Sequence, residues 1–261
     1  MAVFTELSDA DCHAIAEAYG LTSLSSIVGI ADGDTETTYL FCAKEGHFIV
    51  TLFENGAEPL DLERAFRTMD ALHREGVPCP KPLRTIDGHA TCQAAGRLVA
   101  TVSFLPGSST PNASQAKCEN LGRTLARIHT TLERRPKRTL TDLPMGSVHG
   151  ALVHENVFFL GDDVSGVINF RLRHDDALVS EVADVLVGWT TDPTGALDEG
   201  RASALLSGYQ EVRPLAANEK EALPGFVMSS ASRRHASQKD RSTLPEIALI
   251  AYESVTPDLL S

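Results

Sequence analysis

The sequence predicts an α+β protein in two lobes, and three observations predict it. Up to about residue 104 the apolar residues fall in short β-rich runs. After the break Leu105-Pro106-Gly107 they recur at helical spacing over longer stretches. No segment repeats, so a solenoid or propeller is excluded. The expected organisation is a β-rich N-lobe over 1–104 and a mostly helical C-lobe over 105–261. A length of 261 residues, 43% of them hydrophobic, is enough to bury a sizeable core.

The elements follow in order. Ser8 with Asp11 three residues on is a capping-box start. Cys12, Ile15, Ala16 and Tyr19 then share one helical face until Gly20. Thr38–Cys42 and His47–Phe53 read as two strands around the turn Glu45-Gly46. A helix is expected from Leu60 to Glu75, with Leu62, Ala65, Phe66, Met69 and Leu72 on one side and Gly76 ending it. The prolines of Val77–Pro82 force an extended link. Two more strands, Ala90–Ala94 and Arg97–Phe104, close the first lobe. In the second lobe Asn112 is the expected cap of a helix carrying Cys118, Leu121, Leu125 and Ile128 as far as His129. Two apolar strands, Val157–Leu160 and Gly166–Phe170, flank a turn, and helices are expected near 178–189, 198–211 and 217–223. Ser229–Thr243 is polar and weakly patterned.

Charge and composition narrow the function. A formal net charge of −12 opposes a polyanion, and the basic runs Arg134–Arg138 and Arg233–His235 read as solvated surface, so no nucleic-acid partner is expected. No apolar run reaches the roughly 20 residues of a membrane helix, and the N-terminus carries no secretory pattern. Five cysteines without a CxxC pair (Cys12, Cys42, Cys79, Cys92, Cys118) fit free thiols in a reducing compartment. A cytoplasmic protein without a membrane partner is expected.

The motifs resemble the protein-kinase-like fold in its small-molecule branch, the aminoglycoside phosphotransferase superfamily, and within it the homoserine kinases. The resemblance rests on Met1–Ser8, Gly29–Gly33, Val50–Glu54, Gly76–Pro80, Val102–Gly107 and Leu125–His129. It continues through Asn156–Gly161, Ser165–Phe170 and Gly208–Pro214. The family implies ATP in a cleft between the lobes, lined here by Gly33, Thr51, Phe104 and Leu105. It also implies Mg²⁺ on the phosphates, and transfer of a phosphoryl group to a small hydroxyl compound. Glu181 stands where the family places an aspartate that braces the catalytic loop. Asp184, one turn along, is an acid with no assigned role.

The catalytic loop of the family has the form His-x-Asp-x-x-x-x-Asn. Here it reads from His149 to Asn156 with Ala151 at the aspartate position, and the strand expected to end Ile-Asp-Phe reads Ile168-Asn169-Phe170. Asp32, Asp34 and Glu36 place negative charge where a phosphate-covering turn belongs. The segment Thr130–Ser147 is short for the helices that enclose an acceptor. A methyl group accepts no proton, and a neutral carboxamide is a poor ligand for a hard divalent ion. The expectation is therefore a homoserine-kinase-like pseudokinase, in a shortened form, serving as a binding or scaffolding protein.

Two rivals are an enzyme doing metal-free acid/base chemistry in the old cleft, and an ATP-dependent kinase with relocated acids. The candidate catalytic residues are His149, His154, Glu155, Asn156 and Asn169. His149 is also readable as structural, and His154 and His174 as exposed. No metal site is expected, and ATP and magnesium only under the kinase reading. The expected partner is a small metabolite or a protein in the cleft, with an oligomer possible through an uncovered apolar patch.

Overall fold

In a computed structural model the described residues are 5–30, 36–134, 142–170, 174–192, 194–236 and 244–260. The chain divides into two compact units, one of Met1–Arg74 with Cys79–Leu105, the other of Glu75–Pro78 with Pro106–Ser261.

The first unit is a six-stranded antiparallel sheet with two helices. Helix α1 (Asp9–Ala18) begins at the capping box read in the sequence. The Ser8 hydroxyl accepts from the Asp11 N–H, and the Asp11 carboxylate accepts from the Ser8 N–H at 3.1 Å. Strands β1 (Ser26–Ile30), β2 (Thr37–Ala43) and β3 (Gly46–Phe53) form an antiparallel meander. Helix α2 (Pro59–Arg74) follows, then β4 (Pro82–Leu83), β5 (Thr91–Ala94) and β6 (Arg97–Ser103). The sheet order is β1-β2-β3-β6-β4, with β5 also paired to β6. Alternation along β2 and β3 sends Phe41, Val50 and Leu52 inward, where Ile15 and Tyr19 of α1 and Val99 of β6 complete the core. The buried Tyr19 hydroxyl is satisfied by the Val99 carbonyl at 3.0 Å.

The second unit is mainly helical. Its elements are α3 (Gln115–Leu132), β7 (Glu133–Arg134), β8 (Met145–Ser147), β9 (Val157–Leu160), β10 (Asp163–Val167) and β11 (Asp175–Ala177). Then come α4 (Leu178–Thr190), α5 (Glu199–Val212), α6 (Ala217–Ala236) and α7 (Leu244–Glu253). Helices α3 and α5 lie in close contact because glycines face each other's backbone. A Cβ at Gly122 would run into the Leu205 carbonyl oxygen, and one at Gly208 into that of Glu119. Leu121, Leu125, Ile128, Leu186 and Leu205 fill the core around them.

Several expectations are corrected. The cap of α3 is Ser114, whose hydroxyl accepts from the Lys117 N–H, and not Asn112; the helix runs on to Leu132. The strand expected at 166–170 lies at 163–167, because Gly161 in the left-handed region (φ 65°) makes the turn tight. This frees Ile168–Phe170 from the ladder. Helix α6 continues through Pro224 into the polar stretch, held by buried Val227, Ser230 and Ala231, and α7 was not foreseen. Gly33, Asp32 and Asp34 lie outside the described residues, as does the basic run from Arg135 onward. No helix among the described residues is long and apolar enough to cross a membrane.

Candidate active site

The loop from His149 to Asn156 is built on a buried carboxylate. Glu181, in the first turn of α4, is 3% exposed and accepts from three donors. These are the His149 N–H (3.1 Å), the Gly150 N–H (2.6 Å) and His129 Nε2 of α3 (3.0 Å). Burial alone pushes the Glu181 carboxyl up. The hydrogen bonds from His129 and the Gly150 N–H more than offset it and hold the group below its ordinary value.

Behind His129 the chain of contacts goes on. Its Nδ1 meets the Tyr209 hydroxyl at 2.8 Å, that hydroxyl accepts from Arg213 Nη1 at 3.0 Å, and Arg213 is paired with the fully buried Glu219 at 3.0 Å. With Arg213 donating, the Tyr209 O–H is free to donate to His129 Nδ1, which leaves the Nε2 proton for Glu181. Every member of this series is buried and partnered, the condition under which a polar network fixes one arrangement of a core. The motifs at Leu125–His129 and Gly208–Pro214 thus act together, as the support of a loop distant from both in sequence.

His149 ties the loop to the end of β10. Its Nδ1 accepts from the Ala151 N–H at 3.3 Å, and its Nε2 donates to the Ile168 carbonyl at 2.9 Å. Burial lowers its pKa, against the raising effect of Glu181 and the Ile168 carbonyl. With both ring nitrogens engaged it positions the loop. Asn156 turns its Nδ2 onto the Ala151 carbonyl at 2.9 Å, and its main-chain carbonyl accepts from the Ile168 N–H. Asn169 is exposed, with φ 69°, a left-handed conformation that asparagine tolerates better than most residues.

The other candidates are placed less as expected. His154 is not exposed: it is half-buried, its ring 4.0 Å from that of Trp189, with Nδ1 buried and unpartnered. Trp189 is core, and its indole N–H also donates to the Leu152 carbonyl at 2.7 Å. Glu155 is exposed beside Asn156, and His174 is exposed. Asp175 accepts from Ser147 and Asp176 from Ser180, so both serve local structure. In the first unit Thr51 is half-buried in β3 between Thr38 and Ala100. Phe104 is exposed, its ring edge-on to His47, and Leu105 is half-buried.

A magnesium ion, which the fold implies, would meet the neutral oxygens of Asn156 and Asn169 at this loop. Among the described residues no three His, Cys, Asp or Glu side chains converge on a metal position. That donor set does not fit a divalent ion held by the chain's own side chains.

The family model described as "Phosphotransferase enzyme family" matches residues 26–145. A protein of Methylobacterium radiotolerans named homoserine kinase is 34% identical over 275 positions, covering 89% of this chain and 86% of that protein. One of Azorhizobium caulinodans with the same name is 33% identical over the same shares. The chain belongs to the homoserine kinase family.

Among solved structures, an aminoglycoside phosphotransferase from Alicyclobacillus acidocaldarius superposes with a TM-score of 0.71 at 11% identity, covering 99% of this chain and 98% of that one. An amicoumacin kinase gives 0.68 at 13%, covering 96% and 95%. The fold is the two-lobe protein-kinase-like one of the aminoglycoside phosphotransferases. The family alignments run over more positions than this chain has residues, so its relatives carry segments that it lacks.

Family membership corrects the reading of a pseudokinase kept as a binding or scaffolding protein. Relatives at 31–34% identity over most of their length are named as kinases. The metal-free acid/base alternative falls with it, since His149 has both ring nitrogens engaged in holding the loop and His154 is packed, tilted, against Trp189.

Proposed function

We propose that the chain is a nucleotide-dependent kinase that phosphorylates the side-chain hydroxyl of a small amino acid, homoserine by analogy with its relatives. The observation that supports it is the braced loop. Burying Glu181, His129, Tyr209, Arg213 and Glu219 together is costly, and its effect is to hold the main chain of residues 149–151 in one place.

Phosphoryl transfer depends mostly on positioning and charge stabilisation. The acceptor oxygen forms a bond to the γ-phosphorus while the bond to the departing nucleoside diphosphate breaks, and the hydroxyl proton passes to solvent water. A positioned base contributes about 10²–10⁴ in rate, so Ala151 at the loop bears on speed more than on the class of reaction. The same reading makes the partner a small metabolite. It also places the protein in the cytoplasm, where nucleotide is available and its five free cysteines stay reduced.

The test is direct. Purified chain is incubated with ATP, magnesium and L-homoserine, and phosphohomoserine is followed by mass spectrometry. Product that depends on both substrates and disappears in Glu181→Ala supports the reading. No product from homoserine or from other small hydroxy amino acids sinks it.

A further inference from the structure

Beside the loop, wholly within the second unit, lies a cavity of about 260 Å³. Its floor is Gly150–Val153 and its walls come from α4 and α6. The volume lies below the roughly 300–1,000 Å³ of pockets for drug-sized ligands, so it suits a molecule of a few heavy atoms. On its wall Asp184 of α4 meets Arg233 of α6. Arg233 Nη2 donates to Asp184 Oδ1 at 2.6 Å and Nη1 donates to the Ser229 hydroxyl at 2.9 Å.

Asp184 is three residues beyond Glu181 on α4, so the helix that braces the loop also fixes how far this acid stands from it. The pair is open to a ligand, at 57% and 48% side-chain exposure. The guanidinium has five donors and spends two here, and the carboxylate keeps its second oxygen.

We infer that Arg233 and Asp184 take the α-amino acid end of the acceptor, the guanidinium its carboxylate and the aspartate its ammonium. This deepens the kinase reading and rests on it for the identity of the acceptor. An adjacent cation and anion present to a zwitterion the reverse of its own charges. Both ends are then paired without the uncompensated charge that either residue alone would create. A hydroxyl two or three bonds from the α-carbon then points into the rest of the cavity, toward the loop at Ala151. The small volume and the opposed charges together select a short hydroxy amino acid over an aminoglycoside.

The experiment measures calorimetric affinity and KM of the full chain for three compounds. They are L-homoserine, 4-hydroxybutyrate, which lacks the ammonium, and 3-aminopropan-1-ol, which lacks the carboxylate. Arg233→Gln is expected to weaken homoserine about ten- to hundredfold and leave 3-aminopropan-1-ol unchanged. Asp184→Asn is expected to weaken homoserine similarly and leave 4-hydroxybutyrate unchanged. In both variants the loss falls on KM more than on kcat.

Variants that weaken all three compounds equally, or none, overturn the inference. So does failure of homoserine, L-serine and L-threonine all to bind the wild type. Should a variant not fold, the wild-type ranking decides: both truncated compounds must bind about tenfold or more weaker than homoserine. Binding with the expected discrimination but no phosphorylated product defeats the kinase reading and leaves the inference standing. Phosphorylation with KM untouched by either variant does the reverse.

Discussion

At the scale of single residues, Glu181 has no adequate substitute. Three donors converge on its two oxygens, and glutamine would offer one acceptor and turn an NH₂ toward donors. Each buried N–H left unpaired costs about 1–3 kcal/mol. Glu181→Gln should therefore lower the free energy of unfolding by a few times about 1 kcal/mol, read from urea denaturation. Ala151 is the opposite case. Only its main chain is used, the N–H by His149 and the carbonyl by Asn156, so its side chain can change without disturbing the loop. Ala151→Asp should raise kcat by about 10²–10⁴ in a coupled assay, with little change in melting temperature. A null effect would mean that another group already receives the proton.

These residues were unevenly legible. His149 could be placed from the loop pattern, and Glu181 only through the family resemblance, since its partners lie more than 30 residues away. The roles of Tyr209, Arg213 and Glu219 could not: they meet one another locally, but the contact that joins them to the loop, Tyr209 to His129, spans 80 residues and no periodicity links its ends. His154 was misplaced for a related reason: nothing local says that Trp189 comes to lie against it.

At the scale of elements, the α3–α5 contact decides whether His129 and Tyr209 meet at all. Their rings stand edge to face with centroids 5.6 Å apart. Gly208→Ala would push a methyl into the Glu119 carbonyl and move both helices, at a cost of about 1–3 kcal/mol or more. A fall in melting temperature together with reduced kcat would show that spacing and loop are coupled; wild-type values for both would refute it.

Most helices and strands were legible from apolar periodicity, and α1 even to its cap. The failures lie where tertiary contact overrides local signal. Helix α6 runs through Pro224 and a polar stretch because a few buried side chains hold it, and β10 ends early because a glycine turn tightened.

At the scale of the whole molecule, stability should depend on pH in two stages. His149 has a pKa held below its ordinary 6.5 in the folded state, so the unfolded chain binds the extra proton as pH falls below about 6.5. Glu181 has a pKa held below its ordinary 4.5. Its contribution is present above that value and is lost as pH falls through the lower, folded one. Melting temperature should be flat between about pH 7 and 8, decline below 6.5, and decline further below 4.5. Glu181→Gln should shrink the second stage without removing it, because Glu54 and other carboxylates held low by their hydrogen bonds lose their contributions in the same range. A melting temperature unchanged from pH 7 to 4 would contradict both assignments.

The series from Glu219 to the loop also imposes an order in time. The loop at 149–156 is synthesised well before its last support, Glu219. At roughly 5–20 residues per second that interval is about 3–14 s. For that period a nascent chain holds the loop's sequence without its geometry. On the kinase reading, competence to use nucleotide would arrive only when α6 docks.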